Sequence, residues 1–502
     1  LRQLQGGQHR VAAAPARAGA RRRPAGADAA GPGGIKGPPA EGSKRRYAMK
    51  NGKRLLALLC LSALCACQPT PAQEAVVNRA DGALEAALAA PAQPEAEYDA
   101  PARWEEAFTL PNGVEVRIDA DIELGEGARH PVYTIERGRL TGEQALALLN
   151  GLFPGDLELR VNRDSREELL YDMRRVRRGY FVDVDEESGE VIYAPYEDET
   201  EQLAALQQRL SAAPEQDAYA PLEAEDLAAG GGRLAVRAAG GQQYYVWAEE
   251  RSLCVSTSRQ GTVQSETAVL QGGYAGEARG QGVGDVLITE EEAVETARAA
   301  LARAGLAGSF AISHAEKARM LEFDPDELHY TGSVGYVVYA GRSAEGYAAL
   351  PYGLYSEERQ RDGGQEQQEE PAYAQPWFMD VLYLYVTERG VEEFCWDNMN
   401  RVLLTANENV ALLEFSKVQE RIRSVMKQNY SYAPDNARFA WVEISRIALT
   451  LAIDQMPDQG DEALLCPVWA VICNDERGER VYQGDRVLLI NALDGSVVRQ
   501  WP

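Results

Sequence analysis

The feature that most constrains the fold is a helix start followed by strands, a pattern that occurs three times. Each helix start has an apolar residue, then Thr or Ser, and then Gln or Glu three positions later; LTGEQ, ITEEE and FSKVQ begin at Leu140, Ile288 and Phe415. This spacing is typical of a capping box, in which side chains satisfy unpaired backbone N–H groups. Apolar runs that meet at acidic, Gly-containing turns follow each helix, as in YFVDVDEESGEVIYAP, LYLYVTERGVEEFCW and VLLINALDGSVVRQW. The pattern predicts an α+β fold of serial domains, each a helix plus an antiparallel meander.

The three cycles suggest domain boundaries. We predict α+β domains at 105–285, 286–415 and 416–502. An Ala/Pro/Glu-rich stretch over 67–104 precedes them, and its composition is typical of a spacer.

One strand of the third predicted domain, ARFAWVEISRIALTLAID, changes the phase of its alternation. Val442 and Ile444 occupy even positions, whereas the later apolar residues occupy odd ones: Ile447, Leu449, Leu451 and Ile453. A β-bulge at Ser445 or Arg446 would return both sets to one face. The alternative is a strand that is apolar on both faces.

A short signal segment, KNGKRLLALLCLSALCACQPT, occupies Lys50 to Thr70. A positive stretch precedes the apolar run Leu55–Leu64, which is shorter than the roughly 20 residues that cross a bilayer. Its ending resembles a bacterial lipobox, which implies cleavage between Ala66 and Cys67 and diacylation of Cys67. Two acyl chains anchor a protein stably, so we expect it at the outer face of the cytoplasmic membrane. The alternative is an ordinary cleaved signal with a chance cysteine.

Residues 1–48 are rich in Ala, Gly, Pro and Arg and show no apolar periodicity. A functional signal segment is N-terminal, and Met49 directly precedes Lys50. We therefore interpret residues 1–48 as an upstream disordered segment that is read through and is not native, with translation starting at Met49 and the signal peptide over 49–66. The alternative is a genuine disordered basic arm.

The charge limits the partners. Without residues 1–66 the chain has 38 basic and 75 acidic residues and a net charge of −37. Such a chain is repelled by nucleic acid, which we therefore exclude as a partner. The expected partners are the membrane, through the diacylglyceryl anchor, and a protein at the cell surface.

The four cysteines after Cys67 form no CxxC pair: Cys254, Cys395, Cys466 and Cys473. Cys466 and Cys473 lie in one predicted strand at an odd spacing, so they face opposite sides and cannot bond each other. We expect mostly buried, apolar roles for these cysteines, and their disulfide status stays open.

Catalytic and metal-binding patterns are missing from the sequence. His130, His314 and His329 are far apart, and neither HExxH nor GxSxG occurs, so we expect no catalytic residue, metal or cofactor. An acidic segment at 356–376 is flanked by aromatic residues that are candidates for ligand binding: Tyr347, Tyr352, Tyr355, Tyr373 and Trp377. Carboxylates beside them leave a glycoside-type hydrolase as an alternative.

The last helix and the stretch YQGDRVLLINALDGSVVRQW, with Asp494 and Gly495 in its turn, resemble PepSY-type domains. From about Thr289 onward the chain is similar to a family of uncharacterised lipoproteins, a domain of unknown function, from Gram-positive clostridial-type bacteria. The stretches that carry this resemblance are PWFMDVLYLYVTERGVEEFCWDN, ENVALLEFSKVQERI, LLCPVWAVI and LLINALDGSV. The resemblance implies a lipid-anchored binding or regulatory module without catalytic activity. An exported hydrolase and a solute-binding lipoprotein are the alternatives.

Overall fold

The computed structural model describes residues 82–498, apart from 126, 154, 163, 185–190, 229–231, 260–261, 266–268, 271–282, 325–328, 350–378, 432–438, 455–461 and 478–479. The described residues form an α+β fold in which sheet predominates. The helices are α1 (Ala83–Ala89), α2 (Gly142–Leu152), α3 (Arg166–Arg178), α4 (Glu199–Ala212), α5 (Ala224–Ala228), α6 (Glu290–Arg303) and α7 (Phe415–Ser431). None of these helices is long and apolar enough to cross a membrane.

The strands fall into two large sheets and one small hairpin. In chain order they are β1 (Arg103–Thr109), β2 (Glu115–Glu123), β3 (Val132–Arg137), β4 (Leu157–Arg160), β5 (Tyr180–Val184), β6 (Val191–Ala194), β7 (Tyr219–Pro221), β8 (Arg233–Ala238), β9 (Gln243–Glu249), β10 (Ser252–Ser256), β11 (Thr262–Ser265), β12 (Val269–Leu270), β13 (Phe310–Asp324), β14 (His329–Thr331), β15 (Val334–Ala344), β16 (Tyr347–Ala348), β17 (Val381–Thr387), β18 (Gly390–Asp397), β19 (Asn400–Asn407), β20 (Phe439–Asp454), β21 (Glu462–Arg477) and β22 (Arg480–Asn491).

The smaller of the two large sheets has the strand order β1-β2-β20-β21-β3-β19, with β22 paired to β21. Helix α7 packs on one face through an apolar stripe in which Val418 and Ile422 are fully buried. Leu84 of α1 packs on the opposite face. Strand β2 alternates, with Val116 and Ile118 buried and charged residues exposed at the positions between and after them, Arg117, Asp119 and Asp121. This sheet therefore has a hydrophobic layer on both sides.

The larger sheet is made of two similar halves. Helix α2 is followed by antiparallel neighbours β4, β8, β9 and β10, and α6 is followed by β13, β15, β17 and β18. Both helices pack on the same face of the sheet. They come so close that a Cβ atom on Gly151 would lie 2.6 Å from the Cα atom of Ala304, so this position requires glycine.

The sheets cross the domain boundaries predicted from the sequence. The regions 105–285 and 286–415 contribute to one sheet because β10 and β18, the last strands of the two halves, pair antiparallel. The region 416–502 supplies β20–β22 to a sheet that also contains β1–β3 and β19, and Val76–Pro502 forms one compact unit. Pairing β10 with β18 satisfies backbone groups that separate domains would leave at two open edges.

Two of the three predicted capping boxes are confirmed, at Thr141 with Gln144 and at Thr289 with Glu292. The third is wrong. Helix α7 begins at Phe415, and the N–H groups of Lys417 and Val418 donate to the carbonyl oxygen of Glu414. Ser416 therefore lies inside the first turn, where its side chain cannot cap the helix.

The predicted β-bulge in β20 is confirmed at Ser445. Ile444 pairs with Cys473 and Arg446 pairs with Ile472, so Ser445 is the extra residue of the ladder with β21. The apolar residues on both sides of the bulge face one core: Val442, Ile444, Ile447, Leu449, Leu451 and Ile453. Beyond the bulge the opposite face is also buried, since Ala452 packs in the layer beside Leu84.

An ion-pair network lies where the two large sheets meet. The guanidinium group of Arg342 in β15 donates to both carboxylate oxygens of Asp380, at 2.7 and 2.8 Å. Asp380 also accepts from the indole N–H of Trp396 at 2.9 Å and from the backbone N–H of Asn400 in β19 at 3.0 Å. These buried bonds join β15 and β18 of the larger sheet to β19 of the smaller one.

Candidate functional site

Most residues predicted to carry function lie outside the described residues: Ala66, Cys67, Tyr352, Tyr355, Tyr373 and Trp377. Cleavage, lipidation and aromatic ligand binding at these positions therefore stay predictions. Tyr347, the described member of the aromatic set, is 1% exposed and lies in the core beside the smaller sheet. Its hydroxyl donates to the carbonyl oxygen of Gly127 at 2.8 Å, so Tyr347 has a structural role.

His130 has a hydrogen-bonded position in the core. His130 is buried, and its Nδ1 atom lies 2.8 Å from the hydroxyl of Tyr347. Burial lowers the pKa of His130, which favours the neutral ring. Among the described residues no group of three or more His, Cys, Asp or Glu side chains is placed to hold a metal ion.

The most unusual chemistry lies on the face of the larger sheet opposite α2 and α6. We call it the aromatic face, and its buried members are Cys254, Val263, Ala318, Met320, Val337, Tyr339, Tyr383, Tyr385 and Cys395. The strands β17 and β18 place these residues by simple alternation, since Tyr383 and Tyr385 are two apart and Cys395 pairs with Tyr383. The aromatic face is thus a layer of tyrosine rings around two cysteines.

A disulfide joins Cys254 of β10 to Cys395 of β18. The two residues are direct partners in the antiparallel pairing of these strands, and their Cα atoms are 4.1 Å apart. The bond therefore links the two halves of the larger sheet at their junction. Cys466 and Cys473 are buried thiols on opposite faces of β21, as predicted.

Glu393 is a buried carboxyl group beside this disulfide. It lies two residues before Cys395 on the same strand, pairs with Ser256 of β10, and is 2% exposed. Burial raises its pKa to about 7, although the hydroxyl groups of Ser256 and Tyr383 oppose part of this rise. Tyr383 donates to Oε1 at 2.8 Å, whereas Oε2 has no hydrogen-bond partner of normal geometry among the described residues.

The neighbouring Glu392 has a different environment. A bulge in β18 opposite Tyr385 and Val386 brings Glu392 into the buried layer as well. Its carboxylate accepts hydrogen bonds from four side chains: Thr257, Ser333, Thr387 and Arg389. Since both oxygens are occupied, Glu392 stabilises the sheet, and Glu393 is the carboxyl group with free hydrogen-bonding capacity.

Three neighbouring aromatic rings, those of Tyr383, Tyr339 and His314, extend from Glu393 towards the surface. The ring of Tyr339 lies 6.5 Å from that of Tyr383, and His314 stacks on Tyr339 at 4.6 Å with an interplanar angle of 12°. The His314 side chain is 37% exposed, whereas Tyr339 is 2% exposed. Ser265 is the hydrogen-bonding neighbour of the Tyr339 hydroxyl, as Ser256 and Tyr383 are of the Glu393 carboxyl group.

Oε2 of Glu393 is a buried polar atom that ordered water or a polar ligand would satisfy. Asp397, a partly buried carboxyl group on β18, is four residues from Glu393. At about 3.3 Å per residue the Cα atoms of the two are roughly 13 Å apart, whereas paired catalytic carboxylates in glycosidases are about 5–9.5 Å apart.

Neither a family model nor a curated protein matches the chain. A solved structure, that of an uncharacterised protein from Eubacterium rectale, is similar with a TM-score of 0.40 and 12% sequence identity. The similarity covers 80% of this chain and 94% of that one. A TM-score this low supports no conclusion about function.

One sequence signal marks this site. In GVEEFCW, Glu393 occupies the same alternating position as Cys395, in a strand whose other residues are mostly apolar. A carboxyl group at an inward position of a buried strand indicates either a paired charge or a functional site.

Proposed function

We propose that this protein is a lipid-anchored extracytoplasmic binding module without catalytic activity. The observation that carries the proposal is the short signal segment that ends in Leu64-Cys65-Ala66-Cys67. A diacylglyceryl group on Cys67 would hold the folded part at the outer face of the cytoplasmic membrane.

The disulfide between Cys254 and Cys395 supports export. Disulfides persist in oxidising compartments and are rare in the cytosol, where thiols are kept reduced. A chain that reaches the outer face of the membrane would meet the conditions that this bond needs.

The aromatic face supports a binding role. Oε2 of Glu393 is buried without a hydrogen-bond partner of normal geometry among the described residues, and the rings of Tyr339 and His314 lie between Tyr383 and the surface. A small polar ligand that donates or accepts a hydrogen bond would pair with Oε2, because Glu393 can be protonated near neutral pH.

We further propose a PepSY-like module at the C-terminus. Helix α7 is followed by the antiparallel meander β20-β21-β22. In the turn after β22, Asp494 accepts from the backbone N–H of Ser496 at 2.8 Å, and Gly495 has a positive φ of 73°. A strand, an Asp–Gly turn and a returning bridge between Ile490 and Val497 are the elements that the resemblance implies.

The two alternatives differ in what would support them. A carboxylate-dependent hydrolase would use two close carboxyl groups near the acidic segment at 356–376, which lies outside the described residues. A solute-binding protein would be expected to have parallel βαβ sheets, whereas the pairs here are antiparallel apart from β2 with β20 and one isolated bridge, among the described strands.

The anchor is tested by Cys67→Ala in cells that are fed radiolabelled palmitate. We expect the variant to lose the label and either to leave the membrane fraction or to remain uncut. Cys65→Ala is the matched control, because it removes a neighbouring cysteine and should keep both label and fractionation. Identical labelling, cutting and fractionation of Cys67→Ala and the parent chain would reject the lipid anchor.

A further inference from the structure

The middle of β19 is an apolar edge that the rest of the described fold leaves uncovered. Val402, Leu403 and Leu404 are 42%, 37% and 56% exposed. Among the described residues, no other large apolar side chains that are this exposed follow one another directly in the chain. We call these three residues the apolar edge.

Neither face of this strand is covered at its centre. Every residue from 401 to 405 is exposed, and β19 ends the strand order of the smaller sheet, with β3 as its neighbour among the described strands. Unpaired backbone groups and apolar side chains are therefore presented together, which normally marks an interaction surface.

The geometry of β19 argues against the addition of a partner strand. Its pairing with β3 is interrupted twice, between Val402 and Leu404 and between Thr405 and Asn407. Such bulges break the regular register that an added strand follows. Three consecutive exposed apolar residues also lack the alternation that a strand with one covered face shows.

The chain enters the fold beside this strand. Helix α1 begins at Ala83, and the carbonyl oxygens of Leu88 and Ala90 accept from the side chain of Asn407, at the end of β19, at 3.1 and 3.0 Å. Gly82 lies fifteen Cα–Cα steps after Cys67, with fourteen residues between them. Even a fully extended chain of that length reaches only about 50 Å, and a flexible one averages about 20 Å.

We propose that the apolar edge of β19 contacts the surface of the lipid bilayer in the anchored protein. This inference rests on the proposed anchor at Cys67, which would keep the bilayer within reach of β19. A fluid apolar phase requires no strand register, so it fits consecutive apolar side chains on an irregular edge.

The contact is apolar and not electrostatic. The chain is strongly acidic, and Arg401, which borders the apolar edge, forms an ion pair with Glu136. Anionic head groups would repel a protein of this charge. The contact should therefore form on zwitterionic lipid and be insensitive to salt.

The test uses the chain from residue 67 with Cys67→Ala and an N-terminal hexahistidine tag, held on phosphatidylcholine vesicles by a nickel-chelating lipid. Leu404→Cys carries an environment-sensitive fluorophore, and Leu287→Cys, at a position that is 76% exposed, is the matched control. The remaining cysteines are bonded or buried and should not react.

On these vesicles we expect the label at 404 to shift to shorter wavelength and to be quenched by lipids with brominated acyl chains, at low and high salt alike. The label at 287 should do neither. A label at 404 that stays in water on the tethered protein would overturn the proposal. So would a concentration-dependent shift without vesicles, which would assign the apolar edge to a second copy of the chain.

This tether does not depend on acylation of Cys67. Unchanged palmitate labelling, cutting and fractionation of Cys67→Ala in cells would therefore reject the proposed anchor, whereas the fluorescence experiment rejects or supports the bilayer contact separately.

Discussion

Glu393 shows how far a single residue can depart from its ordinary chemistry. The disulfide, the tyrosine rings and the sheet exclude water from it, and one of its oxygens has no partner of normal geometry among the described residues. The free carboxylate form is disfavoured there, and the protonated form can donate a hydrogen bond.

A pH dependence of stability follows from this pKa of about 7, against an ordinary value of 4.5. Because the folded state binds more protons between these values, the free energy of unfolding should fall as pH rises from 4.5 to 7. The expected loss is about 3 kcal/mol, and it persists at higher pH. Glu393→Gln should remove this slope in urea unfolding curves measured from pH 4.5 to 8.

Glu215→Gln, in an exposed turn, is the matched control and should leave the slope unchanged. An identical slope in the parent protein and Glu393→Gln would show that Glu393 titrates alike in both states.

At the scale of elements, a β-bulge in β20 compensates for the shift in the alternation of its apolar residues. The bulge at Ser445 lets Ile444 and Ile447, three residues apart, face one core. A regular strand would instead place such residues on opposite faces.

Deletion of Ser445 should therefore be tolerated better than deletion of Thr450, although both shorten the strand by one residue. Without Ser445, Ile444 and Ile447 become two apart and still share a face. Without Thr450, Leu451 and Ile453 turn away from their core, which should lower the free energy of unfolding by at least about 3 kcal/mol. Urea midpoints of the two variants measure the difference, and equal midpoints would contradict the assignment of the bulge.

At the scale of the whole molecule, long-range links join parts that the sequence presents as separate. The disulfide connects the halves of the larger sheet across 141 residues, and the ion pair of Arg342 and Asp380 hydrogen-bonds to Asn400 in β19 of the smaller sheet. Both links are buried, and each joins distant strands, so they stabilise the tertiary fold and not any single element.

The double variant Cys254→Ala with Cys395→Ala should lower the free energy of unfolding by about 2–5 kcal/mol, because a long loop is no longer closed in the unfolded chain. A reducing agent should lower the free energy of unfolding of the parent protein by a similar amount, and it should leave that of the double variant unchanged. If the reducing agent left the free energy of unfolding of the parent protein unchanged, the disulfide would contribute nothing to stability.

The sequence by itself determined the features that depend on neighbouring residues. Capping boxes at Thr141 and Thr289, the apolar stripe of α7, the bulge in β20 and the opposite faces of Cys466 and Cys473 all follow from local spacing. The α+β class follows too, because helix and strand periods are read within short windows.

Only the tertiary structure decided which edges meet. The pairing of β10 with β18, the parallel pairing of β2 with β20 and the partner of Cys254 each join residues more than 100 positions apart. Alternation shows that a strand has an inward face but not which strand lies beside it, since any strand offers the same backbone groups. The unusual state of Glu393 follows from those pairings, because its burial is produced by strands that are distant in the chain.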